Sequence, residues 1–195
     1  MYGVSHMDRS ADRNKRTRHT RDDWVEHGLI TLAGEGFTGL KADRMVKTLG
    51  VSRGSFYHHF PDIEAFHQAV LNRWLEVTVL DVVADLDAQD HADPAETLTT
   101  LIALALEGMG NELEQAIRAW GFSDPNVRAS VALVDERRIA YVAKLIGAIG
   151  HPPTDARSRA VTVYMSSIGY AYLGQHLGDA DRANAILEIT DYACR

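Results

Sequence analysis

A single cysteine, Cys194, stands one residue from the end of the 195-residue chain, so an internal disulfide framework and a cysteine-rich metal site are both excluded. No run of about 18 apolar residues occurs, which argues against a transmembrane helix. The first residues are polar where a secretory leader needs an apolar centre, so a cytoplasmic location without membrane association is expected. Catalytic signatures are missing as well. The nine histidines form neither His-Glu-x-x-His nor a clustered metal spacing, and there is no Gly-x-Ser-x-Gly and no glycine-rich phosphate loop. The expectation is therefore no cofactor, no metal and no catalytic residue, and a small all-helical enzyme is the last of the readings considered. No stretch reads convincingly as a strand.

What is present is an ordinary apolar fraction of 46%, enough for one or two domains with a real core. The net charge of −7 would disfavour a nucleic-acid partner if it were spread evenly, but it is not. Residues 1–60 hold ten Lys/Arg against seven Asp/Glu, a net +3, and the remainder holds ten against twenty, a net −10. A basic head on an acidic body suits a protein that meets phosphate at one end only.

Residues 1–19, with Arg9, Arg13, Lys15, Arg16 and Arg18, have no apolar periodicity and read as a flexible basic arm. Beyond them the chain divides into helix-length segments. Start signals are legible at Asp93-Pro94-Ala95-Glu96, at Asn111-Glu112-Leu113-Glu114, at Asp124-Pro125 and at Thr154-Asp155, where a capping oxygen precedes proline or an acidic residue. Between these marks Ile63, Phe66, Val70, Trp74 and Val77 fall at three-four spacing, the mark of a buried helical face. The expected fold is all-α, with about nine helices near 21–34, 41–48, 52–57, 62–87, 94–107, 112–121, 125–149, 154–176 and 180–193. The short helices come first, which predicts a small N-terminal three-helix module at 20–61 on a larger helical bundle at 62–195.

Residues 41–57 supply the parts of a helix-turn-helix. Met45, Val46 and Leu49 give a first helix its inward face, Gly50 allows the turn, Val51 packs beneath it, and Ser52 is placed to cap the second helix. Arg53, Gly54 and Ser55 then lie at the exposed start of that helix, where Arg53 and Ser55 can donate to base edges or phosphates and Gly54 permits close backbone approach. Tyr57 and His58 carry polar groups on rigid rings suited to a phosphate oxygen. Phe56 and Phe60 read as core.

Residues 24–74 resemble the DNA-binding domain of TetR-family regulators: a helix ending in Gly36-Phe37, a Leu-Gly-Val-Ser turn, and Gly-Ser-Phe-Tyr-x-His-Phe before a long helix. The resemblance implies base or phosphate contacts from Arg44, Ser52, Arg53, Gly54 and Ser55. It also implies phosphate contacts from Tyr57, His58, Thr20 and Lys41, the last two at helix starts that favour anions. Two positions depart from the family pattern. Ile63 stands where lysine is frequent, removing one usual phosphate contact, and Lys41 stands where serine or threonine is frequent, supplying a charge elsewhere. Ile63 on its own spacing packs with Phe66.

The resemblance further implies a larger domain that binds a small molecule and pairs with a second copy. Residues 156–177 support pairing independently, because Ala160, Ser166, Ser167, Gly169, Ala171 and Gly174 lie among Val161, Val163, Tyr164, Met165 and Ile168. A helix apolar nearly all round must be covered on both sides. With Ala183, Ile186, Leu187 and Thr190 it forms a candidate homodimer interface over about 154–193, coverage within one subunit being the alternative. For the unidentified small-molecule effector, Trp74, Met109, Trp120, Tyr141, Tyr164 and Tyr170 are candidate pocket residues, each also a plain core residue by type. Glu107, Asn111, Arg118, Asp135 and Arg138 are candidate polar anchors, Asp135 and Arg138 also reading as an ordinary surface ion pair. The functional expectation is a repressor released from a palindromic DNA operator by that effector. A helical protein-binding adaptor is the rival reading.

Overall fold

The computed structural model describes residues 19–80, 93–108 and 112–195. Within them the chain forms helices α1 (Arg21–Glu35), α2 (Ala42–Leu49), α3 (Arg53–His59), α4 (Ile63–Leu75), α5 (Pro94–Gly108), α6 (Glu112–Ser123), α7 (Pro125–Ile149), α8 (Pro153–Leu173) and α9 (Asp179–Cys194). No strand occurs among the described residues. The expected basic arm lies outside them up to residue 18, as do Met109, Asn111 and the end of the long helix expected over 62–87. The described part of that helix is α4, which passes at Glu76–Leu80 into a π turn.

Side-chain caps set four of the helix starts among the described residues. Thr20 Oγ1 accepts from the Asp23 N–H at 3.2 Å, and Asp23 Oδ2 accepts from the Thr20 N–H at 2.7 Å, a reciprocal box at α1. The bonds from Thr20 hold the Asp23 carboxyl below its ordinary range. Asp62 accepts from the Ala65 N–H, Asp93 from that of Ala95, and Asp124 from those of Asn126 and Val127. Thr154 does not cap a helix as expected. α8 begins a residue earlier, at Pro153 behind Pro152, because proline's fixed φ suits the first helical position and needs no N–H. It also ends at Leu173, short of the expected 176, where Gly174–His176 tightens into a 3-10 turn.

Two apolar cores result. The first gathers Trp24, Leu32, Met45, Phe56, Phe60, Phe66 and Trp74 from α1 to α4, and it continues into Ile117 and Trp120 of α6 and Val127 and Val134 of α7. The second joins Leu98, Ile102 and Leu106 of α5 to Val142, Leu145 and Ile146 of α7, Ala156, Ala160 and Val163 of α8, and Ala193 of α9. α7 therefore serves the first core with its N-terminal half and the second with its C-terminal half. α1 and α4 approach closely at Gly28, where an added Cβ would lie 2.6 Å from Val70 Cγ2 and 3.0 Å from Phe66 Cζ. No helix among the described residues is long and apolar enough to cross a membrane.

Candidate nucleic-acid interface

The turn between α2 and α3 depends on Gly50, which adopts φ 64° and ψ 30°, the left-handed conformation that glycine takes without a Cβ clash. Its N–H reaches Lys47 O at 3.3 Å, and the Val51 N–H reaches Val46 O at 3.1 Å, so the last carbonyls of α2 are satisfied. Val51 then packs against the first core. The turn thus fixes α3 with respect to α2 by backbone bonds and one apolar anchor.

Aromatic packing fixes the other side of α3. The Phe56 ring lies 5.5 Å from Trp24 of α1 and 5.5 Å from Phe66 of α4, edge to face in both cases, and Phe60 lies 5.0 Å from Phe66. Phe56 and Phe60 are buried. With that face consumed, Ser52, Arg53, Gly54, Tyr57 and His58 are exposed and Ser55 is half-buried. Arg53, Gly54, Tyr57 and His58 are spaced to share one helical face.

Ser52 occupies the N-cap of α3, but its hydroxyl makes no cap bond. The Ser52 carbonyl instead accepts from the Ser55 N–H at 2.9 Å, closing the first turn by backbone alone. The start of α2 at Lys41 also lacks a side-chain cap, in contrast to α1 and α4. Lys41 is exposed. Gly54 has no internal reason to be glycine, since a Cβ there would meet only Ser52 Oγ at 3.8 Å.

Two arginines of this surface are held by carboxylates. Arg44 Nη1 donates to Glu35 Oε2 at 2.7 Å, linking α2 to the end of α1. Arg53 Nε lies 3.4 Å from Asp43 Oδ1, and its guanidinium stands 6.0 Å from the centroid of the Tyr57 ring. Neither carboxylate was singled out by sequence, for the partners lie nine and ten positions apart on different helices. Arg21, next to the Thr20 cap, stacks its guanidinium 5.2 Å from the centroid of the Phe60 ring. Ile63 is half-buried against the first core, in keeping with its packing role.

The candidate effector residues do not come together as a group. Trp74 and Trp120 are buried in the first core, while Tyr141 and Tyr170 pack at the edge of the second. Met109 lies outside the described residues. Trp120 stacks on Phe37 at 4.6 Å, and both rings meet the edge of His67, whose Nε2 is 3.1 Å from Leu40 O. Those contacts join α6 and α4 to the 3-10 turn Phe37–Leu40 that leads into α2.

Tyr164 belongs to a buried polar network that sequence reasoning missed. Asp135 and Arg138 do not pair with each other as expected, because both point inward from α7 toward different partners. Arg118 of α6 clasps Asp135 at 2.7 and 3.3 Å, and Arg138 donates to Glu114 of α6 at 3.1 and 3.4 Å. Arg118 also donates to Glu114 at 3.0 Å, and both arginines donate to the Tyr164 hydroxyl, at 3.1 and 3.4 Å. The hydroxyl in turn donates to Asp135 Oδ1 at 2.6 Å. Glu114, expected as the acid of a helix-start box, is 4% exposed and turned into this network. Burial opposes the charge on Arg118, but the Asp135 bond and the neighbouring carboxylates outweigh it and push its pKa up. Burial pushes the Tyr164 phenol up to about 12, the bond to Asp135 adding to the effect and the Arg138 charge opposing it. Two arginines and two carboxylates balance, with a neutral phenol between them. Among the described residues, no group of three or more His, Cys, Asp or Glu could hold a metal ion.

Comparison with known proteins agrees with this geometry. Residues 28–70 match the family model for bacterial regulatory proteins of the tetR family. Over 61 residues the chain is 43% identical to the HTH-type transcriptional repressor NemR of Escherichia coli strain K12, a match covering 31% of each chain. The chain thus spans about a third of the length of that curated relative. The crystal structure of reduced E. coli NemR superposes with a TM-score of 0.73 at 19% identity, over 89% of this chain and 97% of that one. A TetR-family regulator structure from Rhodococcus sp. superposes with a TM-score of 0.69 at 18% identity, over 93% and 100%. Helix-turn-helix and sequence match thus coincide over residues 28–70, which are similar to the tetR family of bacterial regulatory proteins, and the helical body shares its fold with those two structures.

Proposed function

We propose that this protein is a homodimeric transcriptional repressor that reads a palindromic DNA operator and is released from it by a small molecule. The observation that carries the reading is the division of α3 into two faces. Phe56 and Phe60 lock one face into the core, while Ser52, Arg53, Gly54, Tyr57 and His58 stand in solvent on the other. Donors to bases and phosphates, held on a rigid helix with a glycine that nothing inside the chain requires, are what major-groove reading needs. Residues 20–61 act as the reading module, with Thr20, Lys41, Arg44 and Ser55 joining the contacts, and residues 62–195 as the regulatory and pairing module. It acts in the cytoplasm, where a bacterial operator lies, and is not an enzyme.

Pairing is supported by what one chain leaves uncovered. Met165, Gly169, Tyr172 and Leu173 fall on one stripe of α8, with Met165 68% exposed and a Cβ on Gly169 meeting nothing. Ala183 and Leu187 stand exposed one turn apart on α9. Ala160 and Ile186, expected at the same interface, pack inside their own subunit instead. Two copies paired through these stripes over 154–193 would bury them in a four-helix contact and set the two α3 helices about 34 to 36 Å apart, one turn of DNA.

Release follows from linkage: a ligand that favours a different α3 separation lowers operator affinity by its differential affinity, commonly about 1 to 3 kcal/mol. Tyr141, Tyr164 and Tyr170 are the effector contacts we favour, and α4 is the lever, since it packs on α1 and reaches the regulatory helices. Selection of bound sequences from random duplex DNA tests the whole reading. The expected result is a palindrome from the parent, lost with Arg53→Ala. A random output from both, or binding without a strong salt dependence, would point to a protein-binding adaptor instead.

A further inference from the structure

We propose that Asp43 is a positioning residue for base reading: it orients Arg53 so that both Nη groups face a guanine, and its charge weakens binding to DNA of any other sequence. The inference rests on the DNA-reading role proposed above.

Asp43 stands in the first turn of α2, on a different helix from Arg53, with Oδ1 3.4 Å from Arg53 Nε. The Tyr57 ring lies beneath the same guanidinium, 6.0 Å from its carbon to the ring centroid. Arg53 is therefore held between a carboxylate and an aromatic ring before any DNA arrives. The carboxylate makes its ion-pair contact on the Nε side of the guanidinium, and the two Nη groups carry the remaining donors. Guanine presents N7 and O6 side by side at the major-groove edge, and arginine meets them with two parallel N–H donors. With Asp43 beside Nε, the Nη pair is the one turned to that edge. A long side chain already ordered loses less rotamer freedom on binding than one that must be ordered by the base. Gly54, immediately after Arg53, adds no side chain to obstruct the approach.

The carboxylate has a second effect. Asp43 is exposed beside the proposed reading face, so it repels phosphate whatever the sequence. Its repulsion applies to every site, whereas the orientation it imposes on Arg53 rewards guanine alone. The ratio of specific to non-specific affinity rises on both counts.

The test uses the full chain with Asp43→Ala and Asp43→Asn, each checked by thermal melting against the parent. Sequences selected from random duplex DNA give base preference, and titration with unrelated duplex gives non-specific affinity. Asp43→Ala is expected to cut the preference for guanine at the Arg53 position by about threefold, the most that orientation by one exposed pair can supply. It should raise non-specific affinity by about threefold, the scale of one exposed charge pair. Asp43→Asn keeps a polar oxygen beside Nε without the charge, so it should keep most of the preference while showing the same gain in non-specific affinity. An unchanged preference in Asp43→Ala, or specific and non-specific affinity falling together, would overturn the role of Asp43. Failure of the parent to select any sequence would overturn the DNA-reading role itself, and the inference with it.

Discussion

Tyr164 donates its phenolic proton to Asp135 across 2.6 Å while accepting from both Arg118 and Arg138, so one hydroxyl touches three of the four charges buried among α6, α7 and α8. Removing it with Tyr164→Phe takes one donor from Asp135 and one acceptor from each guanidinium, while the bonds of Arg118 to Asp135 and of both arginines to Glu114 remain. Loss of such buried partners costs about 1 to 3 kcal/mol. The expected outcome is a lower urea midpoint with an unchanged slope.

The same phenol predicts an alkaline limit. Its pKa in the folded chain, about 12, exceeds the ordinary value of 10.0, so the neutral form is favoured by folding. The corresponding stability is fully present below about pH 10 and is lost as pH rises through about 12. Tyr164→Phe should therefore flatten the fall in stability over that window. An identical alkaline profile for parent and variant would contradict the buried placement of Tyr164.

Removing a single charge from the network should be more damaging than removing one at the surface. Glu114→Leu leaves Arg138 without its carboxylate partner and Arg118 with Asp135 alone, for an expected loss of about 3 to 5 kcal/mol. Glu136→Ala, which breaks the exposed pair with Arg157, should leave the melting temperature almost unchanged. Denaturant melts of the two variants make the comparison.

Much of this architecture was legible in the sequence because its signals are local. Gly50 between an apolar first helix and a polar-faced second one, and the Asp-Pro pairs at Asp93 and Asp124, announce turns and helix starts within a few residues. Glu114 was misread for the same reason. An acidic residue near a helix start has a local explanation, and its true partners lie 4 and 24 positions away on two helices. Gly28 carries no turn signal either, because what excludes a side chain there is Val70, far along the chain. Neither the Phe37 stack on Trp120 nor the Asp43 pair with Arg53 follows any helical spacing.

That Phe37 stack offers a test of coupling between the two modules. Phe37→Ala removes a ring contact worth about 1 kcal/mol at a point where α6 meets the turn before α2. Operator affinity should fall although Phe37 is absent from the proposed reading face. Titration of a selected operator, with thermal melting as a control, measures it.

Ile63 and Lys41 should shift the grip on phosphate in opposite directions. Ile63→Lys can keep its aliphatic stem on the core and extend its ammonium outward, which should tighten binding to all sequences and steepen the salt dependence by about one unit. Lys41→Ala should weaken binding uniformly and reduce that slope by about one. Filter binding across a salt series gives both slopes.

The first core has a consequence for anyone wishing to transplant the reading head. Trp24 and Phe56 share their buried cluster with Ile117, Trp120, Val127 and Val134, so a fragment cut after α4 would carry an open apolar underside into water. A chimera that retains this specificity must therefore borrow α6 and the first half of α7 along with the helix-turn-helix. The interchangeable part of this protein is larger than the proposed reading face.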